Sequence, residues 1–159
     1  MSTLLLGMGN PILCDDGVGV RLAKDFSRRL GSRPGLTVEP DCSAGGLNIL
    51  DVFTGHSRAI VLDSLRTTGG VPGHWCSFDA TALAGTMHLR NIHDANFATV
   101  LQLGHRLGLP LPAPEDIHIF AVEVQDAATF SERMTPALEE AYPVFSGEIF
   151  REVERLLAA

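Results

Sequence analysis

From residue 3 to residue 30 the chain reads TLLLGMGNPILCDDGVGVRLAKDFSRRL, and this stretch decides the fold. Residues 3–6 form an apolar run bounded by Gly7 and too brief for a helix, so they read as a buried strand. A loop covers residues 7–16. Residues 17–30 then repeat Val18, Leu22, Phe26 and Leu30 every four residues, with Arg21, Lys24, Arg28 and Arg29 outside that stripe, as an amphipathic helix does.

The same alternation continues outward. Residues 36–41 are strand-like, residues 46–53 read as a short helix carrying Leu47, Leu50 and Val52, and residues 58–62 (RAIVL) form another buried-strand run. The stretch 69–73 (GGVPG) requires a turn, and residues 74–78 (HWCSF) form a strand beyond it. A helix is expected from about Asp94 to Leu107 with Phe97, Val100, Leu101 and Gly104 inward. The proline-rich connector LPLPAP (109–114) leads to a further strand, IHIFAVEV (117–124). Thr135 as N-cap and Pro136 at the first helical position open the last helix, with Leu138, Tyr142, Phe145, Ile149, Val153 and Leu156 on one stripe and a kink expected at Pro143. Strands alternating with helices predict a single domain over residues 1–159: a three-layer α/β/α fold with a mostly parallel twisted sheet of about five strands.

Composition narrows the function. A chain of 159 residues with 45% hydrophobic and 19% charged residues is globular, not disordered. A formal charge of −7 repels phosphate backbones and anionic headgroups, so nucleic acid and membrane surfaces are not expected partners. The segment MSTLLLGMGN lacks a basic region, and no run approaches the roughly 20 apolar residues of a membrane span, which points to the cytoplasm. Cys14, Cys42 and Cys76 form neither C-x-x-C pairs nor an even set, so each reads as a reduced, small, partly buried side chain. Nothing near Cys14 in the sequence is placed to make it a catalytic thiolate.

The chemistry concentrates in Gly7-Met8-Gly9-Asn10-Pro11-Ile12-Leu13-Cys14-Asp15-Asp16-Gly17-Val18-Gly19. A dinucleotide loop fails here. The third glycine of G-x-G-x-x-G falls at Ile12, and Asp15 and Asp16 would repel a pyrophosphate. The bland reading is that one of the two carboxylates caps the following helix, leaving the other free to face a crevice.

GMGNPILCDDGVG resembles the signature of the hydrogenase maturation endopeptidases: a strand, a Gly-x-Gly-Asn turn, and an acidic pair followed by Gly-x-Gly. Further matches follow in order: Asp41-Cys42-Ser43-Ala44-Gly45-Gly46; Ile60-Val61-Leu62-Asp63; His93 with Phe97 and Leu101; and Met134-Thr135-Pro136. Several separated matches in order are more specific than any one motif. Ala121-Val122-Glu123-Val124 departs from the family's Gly-x-x-Pro-like turn after the last strand, which bears on precursor specificity.

The resemblance implies that Asp16, Asp63 and His93 are the catalytic and nickel-binding residues. Two carboxylates and an imidazole suit a borderline divalent ion. In an open parallel sheet the crevice lies beyond the carboxyl ends of the strands, where Asp16 and Asp63 fall. Each also has a structural alternative: Asp63 as a surface turn residue, and His93 as a core or capping histidine, with His88 close enough to be the ligand instead. The implied function is removal of the C-terminal extension of a nickel-loaded [NiFe]-hydrogenase large-subunit precursor. The substrate supplies the nickel, the chain holds no permanent cofactor, and it acts as a monomer. The alternative is a non-enzymatic nickel-binding checkpoint or chaperone. H-E-x-x-H and G-x-S-x-G signatures are absent.

Overall fold

The computed structural model describes the backbone of residues 1–42, 46–84 and 92–159, and the side chains of residues 1–42, 46–83 and 97–159. Five strands, β1 (Thr3–Met8), β2 (Leu36–Cys42), β3 (Arg58–Leu65), β4 (Trp75–Asp79) and β5 (Ile117–Glu123), form one sheet in the order β2-β1-β3-β5-β4. The α-helices among the described residues are α1 (Val18–Leu30), α2 (Ile49–Phe53), α3 (Ile92–Arg106) and α4 (Pro136–Ala158). β1, β2, β3 and β5 run parallel, and β4 pairs antiparallel with β5.

One antiparallel edge strand fits the expected mostly parallel sheet, and the cause of its direction is local. A parallel return needs a crossover of roughly a dozen residues or more, usually a helix. Between β3 and β4 the chain has only residues 66–74, including the GGVPG turn, so β4 runs back in the opposite direction and leaves the place beside β3 for β5.

Strand alternation sends successive side chains to opposite faces, and each face is covered. On one side Leu5, Ile60, Leu62, Phe120 and Val122 pack against Val18, Leu22 and Phe26 of α1 and Leu138, Phe145 and Ile149 of α4. On the other, Leu4, Leu6, Ala59, Val61 and Ile119 pack against Ile49 and Phe53 of α2 and Phe97 and Leu101 of α3. These are the α/β/α layers expected from the pattern. α4 is continuous through Pro143, which lies on its exposed side, where water can take the Glu139 carbonyl that a proline leaves unbonded.

One glycine sets how closely α1 approaches the sheet. A Cβ on Gly19 would lie 2.2 Å from the Leu62 carbonyl oxygen and 2.5 Å from that of Met8, both fixed backbone atoms. Gly19→Ala is therefore expected to push α1 off β1 and β3 at a cost of about 1–3 kcal/mol, seen as a fall of several degrees in the midpoint of a circular-dichroism melt. An unchanged midpoint would show that the helix can slide away without loss.

Candidate active site

β1 feeds α1 on one face and leads to β2 on one side, whereas β3 leads to strands on the other side. The carboxyl ends of β1 and β3 therefore diverge, and such a switch point is where an open α/β sheet leaves a crevice. Asp16 follows β1, and Asp63 lies within β3 opposite Ala121 of β5.

The turn after β1 explains the glycine and asparagine of its motif. Gly9 has φ +122°, and a Cβ there would lie 2.0 Å from the Asp16 carbonyl oxygen, so an alanine at Gly9 is excluded by strain and by contact. The Asn10 side chain accepts the Ile12 N–H at 3.1 Å, and its backbone carbonyl accepts the Leu13 N–H at 3.1 Å. This folds residues 9–16 back so that the Asn10 N–H donates to Asp16 Oδ2 at 2.8 Å. The other oxygen, Asp16 Oδ1, accepts the Ser64 hydroxyl at 3.0 Å, while the Ser64 backbone N–H donates to Asp63 Oδ1 at 2.7 Å. Asp16 and Asp63 are 5% and 4% exposed, so both are buried carboxylates joined through one serine.

Asp63 is thus no surface turn residue. β3 runs three residues further than its apolar run, to Leu65, because the ladder with β5 extends to the Leu65–Glu123 pair. By strand alternation Asp63 shares the face of Ala59 and Val61, the face covered by α3. His93 lies on α3 four residues before Phe97, which packs on that face. The side chain of His93 lies outside the described residues, as do His88 and the turn at Ser43, Ala44 and Gly45. Among the described residues no group of three or more His, Cys, Asp or Glu side chains could hold a metal ion.

Neither aspartate caps α1, which corrects the capping expectation. The N-cap is Gly17, without a side-chain bond. Asp15, fully buried, instead takes the backbone N–H groups of Gln125 and Asp126 on Oδ2, both at 3.0 Å, and that of Thr135 on Oδ1 at 2.7 Å. The Thr135 hydroxyl also turns to Asp15, so Thr135 precedes α4 as expected but gives that helix no side-chain cap. The Asp15 charge sits at the positive end of the α4 dipole. Backbone bonds complete the join between the two loops: Cys14 N–H to the Ser131 carbonyl, Asp15 N–H to that of Asp126, and Ser131 N–H to that of Ile12, each 2.9 Å.

Burial, with the Asp15 charge second, pushes the Cys14 thiol above its ordinary pKa, which argues against a thiolate nucleophile. Glu123, where the chain departs from a glycine-containing turn, is buried and accepts the Thr67 N–H at 3.2 Å, tying down the connection from β3 to β4. Sequence reasoning missed Ser64, the clamp made by Asp15, and Glu123. A polar residue directly after Asp63 was the available signal for Ser64.

The fold has clear structural counterparts. The hydrogenase maturating endopeptidase HybD from Escherichia coli matches with a TM-score of 0.80 at 20% identity, over 98% of this chain and 93% of that one. The [NiFe] hydrogenase maturation protease HybD from Thermococcus kodakarensis matches with a TM-score of 0.69 at 16% identity, over 98% and 99%. The fold is that of the hydrogenase maturation endopeptidases. A hydrogenase 2 maturation peptidase from a Thaumarchaeota archaeon shares it, with a TM-score of 0.62 at 18% identity over 96% and 98%. No family model and no curated protein sequence matches the chain. In this fold the two carboxylates, joined through Ser64, lie near the carboxyl ends of β1 and β3, and no helix among the described residues is long and apolar enough to cross a membrane.

Proposed function

We propose that the chain is an endopeptidase that removes the C-terminal extension of a nickel-loaded [NiFe]-hydrogenase large-subunit precursor, acting as a cytoplasmic monomer without a permanent cofactor. The observation that carries this reading is the pair of buried carboxylates, Asp16 and Asp63, joined through Ser64 near the carboxyl ends of β1 and β3 in a fold shared with named maturation endopeptidases. A buried carboxylate pair is costly unless something compensates its charge, and a divalent ion arriving with the substrate would do so.

In this reading Asp16, Asp63 and His93 contact the substrate's nickel and so place the scissile bond. Docking by ligation converts peptide hydrolysis into a reaction of fixed partners, a gain that depends on geometry held to within an ångström. The nickel supplies Lewis acidity at the bond. The protein's part is to hold its two carboxylates oriented and shielded from bulk water by the turn of residues 9–16 and the end of β3.

The test uses purified precursor, with and without nickel, and the purified protein alone, followed by mass spectrometry. The nickel-loaded precursor is expected to shorten and the nickel-free form to stay intact. Equal cleavage of both forms rules out recognition through nickel. Binding of the loaded precursor with no peptide released makes the chain a checkpoint and not an enzyme.

A further inference from the structure

We propose that Ser64 is a positioning residue: its hydroxyl sets the plane of the Asp16 carboxylate so that Asp16 and Asp63 meet one divalent ion together. This rests on the reading of the two aspartates as ligands of the substrate's nickel.

The two carboxylates come from different elements, Asp16 from the loop after β1 and Asp63 from β3. Their relative orientation must therefore be set by contacts between those elements. The final torsion of an aspartate is broad and roughly two-fold, so a single hydrogen bond to one oxygen leaves the plane of the group free to turn. The Asn10 N–H at Oδ2 is one such bond. The Ser64 hydroxyl at Oδ1, 3.0 Å away, is the second, and two points fix the plane. A carboxylate oxygen has two lone-pair sites, so each Asp16 oxygen keeps one for an ion after accepting these bonds.

Ser64 suits the task for reasons of register. It is 2% exposed and stands opposite Val122 in the ladder with β5, so its backbone cannot drift. Strand alternation turns its side chain away from the face of Asp63, toward the side on which α1 lies, while its backbone N–H stays with Asp63. A single residue thus grips one carboxylate by its side chain and the other by its main chain. The hydroxyl is neutral, so it orients Asp16 without offsetting the charge that attracts a cation. Hydrogen bonds from outside the ligand set commonly change metal affinity by about 10–100-fold.

The experiment is a double-mutant cycle of Ser64→Ala and Asp16→Asn, read by calorimetric titration with Ni²⁺ and by the rate of nickel-loaded precursor cleavage. Ser64→Ala removes one oxygen and leaves the N–H to Asp63 in place. It is expected to weaken Ni²⁺ binding about 10–100-fold and slow cleavage, yet to add nothing once Asp16 is already Asn. A general structural role would make the two losses add. Wild-type behaviour of Ser64→Ala, or additive losses, overturns the role of Ser64 while leaving the ligand reading intact. Wild-type protein that takes up no Ni²⁺, together with Asp16→Asn that cleaves normally, overturns both.

Discussion

Asp15→Asn is expected to lower the thermal midpoint by about 5–15 °C, although it changes one atom and leaves the volume unaltered. The three backbone N–H groups that point at Asp15 belong to Gln125, Asp126 and Thr135, and they occupy both carboxylate oxygens. An amide at this position must present its NH₂ to at least one of these fixed donors whichever way it is turned. If the nitrogen replaces Oδ1 it faces Thr135, and if it replaces Oδ2 it faces two donors. The site is fully buried, so no water can relieve the conflict. An orphaned buried donor together with a lost charge-assisted bond costs about 2–4 kcal/mol, and each kcal/mol shifts the midpoint of a chain of this size by about 2–4 °C. Differential scanning calorimetry measures this directly. A midpoint within a degree or two of wild type would show that the loop of residues 125–135 is held without Asp15.

Asp16→Asn and Asp63→Asn are expected to behave in the opposite way, losing about 10²-fold or more in cleavage rate with melts close to wild type. After Asp16→Asn the side-chain oxygen can still accept the Asn10 N–H, and the new amide can donate to Ser64 Oγ, because a hydroxyl accepts as readily as it donates. After Asp63→Asn the remaining oxygen can still accept the Ser64 N–H. What both substitutions remove is charge. Peptide release from the nickel-loaded precursor, followed by mass spectrometry alongside each melt, separates the two effects. Variants that are folded and fully active would return both aspartates to a structural role. The contrast with Asp15 is the informative part: of two adjacent buried aspartates, one is expected to matter for stability and the other for chemistry.

That contrast marks how far the residues can be read along the chain. Local apolar periodicity was sufficient for the strands and helices of the α/β/α layers, because a strand buried on both faces is apolar throughout and a covering helix carries a stripe at its own period. The ordered motif from Gly7 to Gly19 and the isolated Asp63 likewise pointed to the carboxyl ends of β1 and β3, because a parallel sheet places its loops there whatever their content. Which of Asp15 and Asp16 faces which neighbour was not legible. Apart from the Asn10 N–H, their donors lie far away in sequence, Ser64 of β3 for Asp16 and residues 125, 126 and 135 for Asp15, and only the register of β3 beside β1 and the join between the loops at 10–17 and 125–135 bring them near. The contact that Glu123 makes with Thr67 was hidden for the same reason, whereas the antiparallel direction of β4 follows from the short connection over residues 66–74. Hydrogen bonds to buried carboxylates are set by which backbone segments meet in space, and that is decided when the layers pack, not by the pattern of any one segment.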